Sequence, residues 1–168
     1  GDGIDGRGVT ATSDGGFAIC WQNHATNVPA MVRTFDADGT PRGANQAVSF
    51  YFGSERIAAS PIGTTGVVAG STGGSVGLQR FTYNGTPVGS PTFIENASVG
   101  GVDVEYASDG NLFATWMQFD PESETSRPRG RVLDADLHPM LEPFWIAGEG
   151  SLGSPRTARL ADGGSFAV

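Results

Sequence analysis

The chain has 168 residues, ten Arg, no Lys and a formal net charge of −8. That acidic balance argues against a nucleic-acid partner, which demands a clustered basic surface. No apolar run approaches the roughly twenty residues that cross a bilayer as a helix, so membrane insertion is not expected. Twenty-six glycines point to a turn-dense β protein, and helix is expected to be nearly absent.

Taken in chain order, the first predicted strands are Gly8–Ser13, Phe17–Gln22, Ala30–Phe35 and Arg42–Phe50, separated by SDGG at 13–16 and DADGTP at 36–41. In both turns Asp folds back onto its own backbone and Gly supplies positive φ. The pattern then returns. A turn and apolar run, IGTTGVVAG, ends at Gly70, and FTYNGTPVG spans Phe81–Gly89. A third pass gives SDGNLFATW, ending at Trp116, and the degraded phrase LDADLHPML, from Leu133 to Leu141. ADGGSFAV at the end of the chain starts a fourth.

Measured between equivalent turn residues (Asp14, Gly63, Asp109, Asp162), the units are 49, 46 and 53 residues long. Nearly all of that variation falls between the second and third apolar runs, where the spacing is 14, 11 and 17 residues. Packed segments keep their length and surface loops accept insertions, so this connection is expected to be the variable loop.

A period near 50 residues signals one supersecondary unit, repeated because it cannot bury its apolar faces alone. The run Phe17–Trp21 is apolar on both parities, so its strand needs cover on both faces. Radially stacked four-stranded sheets provide that cover, whereas an immunoglobulin-like sandwich would alternate and lack the repeat. The expected fold is all-β, a β-propeller-type single repeat domain over 1–168. Its blades are expected at about 8–50, 56–95 and 101–147, with a half blade at 156–168.

Gly15-Gly16, Trp21-Gln22, Phe35–Pro41, Arg80-Phe81 and Gly85–Gly89 resemble the blade repeats of bacterial surface and secreted proteins that read DGG-apolar-WQ followed by RFDADGTPVG. The resemblance implies propeller blades and an extracellular or cell-surface setting. The likeness to calcium-binding FG-GAP blades is only partial. Two features depart from the pattern: Gly70 stands where Trp21 and Trp116 stand, and Leu137-His138 replace Gly39-Thr40.

In a propeller the first and third turns of each blade share a rim, and the variable loop lies on the other. The turn rim gathers Asp14, Asp36, Asp38, Asp109, Asp134 and Asp136. Asp-x-Asp-Gly opens like a calcium loop, but its later ligands are missing, so structural turns are expected and calcium is the one candidate ion. No other cofactor is expected. The loop rim offers Trp21, Gln22, Asn23 and His24 from the first unit, and Trp116, Gln118 and Asp120 from the third. An amide beside an indole suits a sugar, whose hydroxyls take directional hydrogen bonds while a C–H face lies on the ring. The competing reading puts both Trp in inter-blade packing. Arg127, Arg129 and Arg131 alternate and share one strand face, an anion patch or an acid-paired edge. Cys20, the single cysteine, is expected to be buried and structural.

No nucleophile–histidine pair, phosphate loop or opposed carboxylates emerge. The expectation is a non-catalytic binding or adhesion module, for carbohydrate or a protein surface. A structural scaffold is the alternative, and a fragment of a propeller hydrolase a further one. Three and a half blades fall short of the four a closed ring needs. The chain is therefore expected to pair with a second copy or with the remainder of a longer propeller.

Overall fold

The computed structural model describes residues 4–23, 29–48, 53–72, 74–96, 99–147, 155–159 and 166–167. They are all strand, turn and loop, with no helix among them. No helix of the described residues is long and apolar enough to cross a membrane.

Three antiparallel four-stranded meanders follow one another. Blade 1 holds β1 (Ile4–Ala11), β2 (Phe17–Asn23), β3 (Met31–Phe35) and β4 (Gln46–Ala47) in that order. Blade 2 holds β5 (Gly53–Ala59), β6 (Thr65–Thr72), β7 (Ser75–Thr82) and β8 (Pro87–Asn96). Blade 3 holds β9 (Val99–Tyr106), β10 (Leu112–Asp120), β11 (Thr125–Leu133) and β12 (Phe144–Trp145). A two-stranded sheet, β13 (Ala158–Arg159) with β14 (Phe166–Ala167), begins a fourth. The first strands lie side by side, β1 against β5, β5 against β9 and β9 against β13, so they line the axis of an open, incomplete propeller.

Five hairpin turns share one hydrogen-bond pattern. The N–H of Thr12, Asp36, Thr82, Ala107 and Asp134 each bonds the carbonyl four residues on, at 2.8–2.9 Å. Inside each, the residue one short of that carbonyl donates back to the first, as Gly39 does to Asp36 at 2.9 Å. Such a turn needs its fourth residue at positive φ. Gly15, Gly39, Gly85 and Gly110 supply it, with φ between 85° and 88°, and Leu137 holds the same place at 69°. The SDGG and DGTP phrases are thus two spellings of one turn, and the Leu137-His138 departure leaves the backbone unchanged.

Alternation then sorts the side chains into two inter-blade seams. Ala18, Cys20, Val32 and Val48 of blade 1 meet Ile57, Val68 and Phe81 of blade 2. On its other side blade 2 presents Val67, Ala69, Val76 and Leu78 to Leu112, Ala114, Trp116 and Leu133 of blade 3. Each blade therefore has a leading face, turned to the blade before it, and a trailing face, turned to the blade after it. Gly66 is required by the first seam: a Cβ there would sit 2.5 Å from the Phe81 ring and 2.7 Å from the Ala58 carbonyl.

Two sequence expectations need correction. Most of the third unit's extra length goes into the ladder rather than the loop: the β10–β11 hairpin has nine residues per strand, whereas β6 and β7 have eight each. A nine-residue ladder satisfies backbone groups that a loop would leave to solvent. The fourth strand, expected over Arg42–Phe50, is confined among the described residues to Gln46–Ala47. Arg42 is held at the turn rim instead.

Candidate functional site

On the turn rim the carboxylates organise their own turns. The Asp38 carboxylate accepts the Thr40 N–H at 2.8 Å, and Asp109 accepts from the backbone and side-chain amides of Asn111. Asp134 accepts from the N–H groups of Asp136 and His138, and a His138 ring nitrogen lies 3.2 Å from its second oxygen. Arg42 ties two turns together, with Nη1 2.6 Å from Asp14 and Nε 2.8 Å from Asp36. That guanidinium, helped by the Thr12 hydroxyl, holds the Asp14 carboxyl down at about 2. Among the described residues no group of three or more His, Cys, Asp or Glu is placed to hold a metal ion. A polar cleft of about 330 Å³ opens on this rim between blades 1 and 2, lined by Asp14, Thr64, Thr82, Tyr83 and Asn84. Tyr83 closes its floor, donating to the Ser60 carbonyl at 2.6 Å and accepting from the Ser13 N–H.

The residues expected on the loop rim are dispersed. His24 lies outside the described residues, as does the side chain of Asn23. Trp21 and Gln22 are half-buried on β2. Trp116 is fully buried in the seam between blades 2 and 3. Its indole N–H donates to the Gln118 amide oxygen at 3.1 Å, which also accepts from Arg129 at 3.0 Å. Asp120 is buried as well and accepts from Arg127 at 2.7 Å, from the Ser123 hydroxyl and from the Glu122 N–H. The Arg127 contact chiefly holds its carboxyl below the ordinary range. Trp116, Gln118 and Asp120 thus share one face of β10, with Trp116 and Asp120 buried and Gln118 half-buried. Their parity matches that of Leu112 and Ala114, a signal already present in the sequence.

The arginine stripe is acid-paired and reaches across the seam. Arg127 meets Asp120, Arg129 lies 3.4 Å from Glu95 of β8, and Arg131 donates to the Ile94 carbonyl at 3.0 Å. Arg127 and Arg129 also stack over the Trp145 ring, 4.6 and 5.1 Å from its centre.

That ring leads to a surface the sequence did not single out. The bridges Phe35 to Pro41 and Leu133 to Pro139 align blades 1 and 3 residue by residue. The pairs Met31–Ala47 and Arg129–Trp145 keep the same alignment. On this shared backbone Arg42, Gly43, Gln46 and Ala47 of blade 1 become Met140, Leu141, Phe144 and Trp145 of blade 3. All four are exposed, from 37% at Trp145 to 56% at Leu141. They lie at or beside β12, the outermost strand, which among the described residues pairs only with β11.

Comparison with known proteins supports the fold. No family model matches the chain, and no curated protein does. Among solved structures, a chain of the nidogen/laminin complex matches 93% of this chain at 15% identity, with a TM-score of 0.55. TolB from Acinetobacter baumannii matches 96% at 16% identity and 0.54, and Kuenenia stuttgartiensis hydrazine synthase 77% at 12% and 0.52. The chain is a propeller-type β protein of repeated blades. It spans 52%, 36% and 51% of the lengths of those three chains, respectively.

Proposed function

We propose that the chain is a non-catalytic binding module, a propeller segment that engages a protein partner along the outer edge of blade 3. The observation that carries this reading is the exchange of Arg42, Gly43, Gln46 and Ala47 for Met140, Leu141, Phe144 and Trp145 on one backbone trace. Blade 1 forms the same turn and edge strand without a large apolar residue at those four positions, so the turn and the strand pairing do not require them. Exposed apolar side chains along an edge strand of a rigid frame mark interaction sites. An open edge strand offers main-chain hydrogen bonds to an extended segment, and aromatic side chains supply anchoring area. The reading places the module outside the cell or on its surface, the setting of the blade repeats it resembles.

Carbohydrate is the second reading, and it moves from Trp21 and Trp116 to Trp145. Trp145 keeps part of its indole exposed while Arg127 and Arg129 stack on the ring and fix it. A display library of extended peptides and a glycan array separate the two. The protein reading expects convergent apolar peptides whose binding falls more than about tenfold in Phe144→Ser and Trp145→Ser, the loss expected of an anchor residue. Absence of convergent peptides, or binding indifferent to both substitutions, rejects it. Glycan binding abolished by Trp145→Ser establishes the carbohydrate reading in its place.

A further inference from the structure

The rim cleft between blades 1 and 2 has a counterpart between blades 2 and 3, and that counterpart is closed by the chain's own side chains. There Ile62 lies over Gly110, where a Cβ would meet its Cδ1 at 2.5 Å. Arg80 of β7 reaches across the seam and donates from Nη1 to the Ala135 carbonyl at 3.1 Å and to the Asp136 carboxylate. The shared turns fix what replaces these groups at the first seam. Asp36, Thr82 and Asp134 each open the turn after a third strand. Thr34 therefore stands in place of Arg80, and Tyr83 and Asn84 in place of Ala135 and Asp136. Asp14, two residues past the start of its turn, stands in place of Ile62. With neither guanidinium nor isoleucine at these positions, about 330 Å³ stays open.

The opening is lined by acceptors. Thr34 shares the parity of Val32, so it faces blade 2; it is 1% exposed, and its hydroxyl has no hydrogen-bond partner among the described residues. Buried hydroxyls are rarely left unpaired. It lies beside the Thr82–Thr86 turn, since a Cβ at Gly85 would come within 3.8 Å of it. The first turn of blade 2 is one residue longer than its equivalents, with the Ser60 N–H bonding the Thr65 carbonyl, and its Thr64 carbonyl accepts the Tyr83 N–H at 2.8 Å. On the blade 1 side, Asp14 and Asp36 share the single guanidinium of Arg42, so these three side chains keep a net negative charge.

We propose that the cleft binds an arginine side chain presented by a peptide. Its guanidinium takes the Tyr83 carbonyl and the Asn84 amide oxygen as Arg80 takes Ala135 and Asp136, with the Asp14 carboxylate as counter-charge. An ionised carboxylate offers about four lone-pair sites, and in Asp14 the Thr12 hydroxyl, the Gly16 N–H and Arg42 take up three. A planar fork of N–H donors matches acceptors spread around one opening in a way that a compact ammonium does not. This site is separate from the outer edge of blade 3.

Amide chemical shifts of the isotope-labelled protein test this, followed at low salt during titration with acetyl-Gly-Arg-Gly-amide to millimolar concentration. The expected result is saturable shifts at Thr64 and Thr82–Gly85. The same peptide with citrulline, the neutral isostere of arginine, binds more than about tenfold more weakly, the loss expected when charge-assisted hydrogen bonds become neutral ones. The lysine peptide also binds more weakly. Thr34→Arg, which supplies the chain's own guanidinium as at the second seam, abolishes binding, and Phe144→Ser leaves it unchanged. Asn84→Asp, which copies Asp136, tightens binding; its position is exposed, so this arm holds whatever Thr34→Arg does to the fold. Absence of saturable shifts at the cleft, equal binding of the citrulline or lysine peptide, or binding that Asn84→Asp does not tighten overturns the inference.

Discussion

Residues on the turn rim are held by charge, and pH reads that out. The folded-state pKa of Asp14 lies near 2, below the ordinary value of about 3.9. Its contribution is therefore complete above about pH 4 and is lost as pH falls through about 2. Asp14→Asn should flatten that part of an acid-unfolding profile and cost no more than about 1 kcal/mol at neutral pH, because the Asp14 side chain is 43% exposed. Leu137 poses a sharper contest. Its positive φ costs on the order of 1 kcal/mol for a non-glycine residue, yet its side chain is buried in the second seam. Removing a buried leucine costs about 2–5 kcal/mol. Leu137→Gly should therefore lower the melting temperature in spite of the relaxed backbone, whereas Gly39→Leu, which gains no burial, should also lower it. Thermal melts of the two variants check both signs.

At the scale of strands and turns, much was legible. Asp and Gly at fixed offsets announced the hairpins, because one turn geometry tolerates few residue types at those places. The count of four strands per unit followed from the spacing between them. The route of the third unit's extra residues was not legible, since insertion length is compatible with a longer loop or a longer ladder. Pairing of Met117 with Pro128 and of Phe119 with Ser126 decided for the ladder. The sequence left Trp116 between two readings, packing and ligand contact: a strand residue's parity tells which neighbours share its face, but not whether another sheet lies over that face. Glycine positions carry a further expectation. Gly66→Ala should destabilise by about 1–3 kcal/mol, because the Ala58 carbonyl facing the new methyl cannot move without breaking the β5–β6 ladder. Urea unfolding measures it, and an unchanged midpoint would contradict the close approach.

Across the molecule, stability resides in the seams. Each blade is thin, and most of the buried apolar residues fall into two clusters that each join neighbouring blades. Polar ties repeat the theme: Arg80 bonds the Ala135 carbonyl and Asp136 across the second seam, and Asp103 accepts both donors of Thr157 while Arg56 stands 3.5 Å away. Trp116→Ala, which empties the largest buried side chain, should cost about 3–5 kcal/mol. Since it sits in the second seam only, blade 1 packing against blade 2 should persist longer than blade 2 against blade 3 in a denaturant titration of that variant.

Cys20 gives that last distinction its own reporter. The chain has a single sulfhydryl, and it is walled in at the contact of the first two blades. A maleimide or disulfide reagent can reach it only when those blades part. Its modification rate therefore clocks one crevice, without labels or mutations, and comparison with the global unfolding rate tells whether this array breathes blade by blade or opens as a whole.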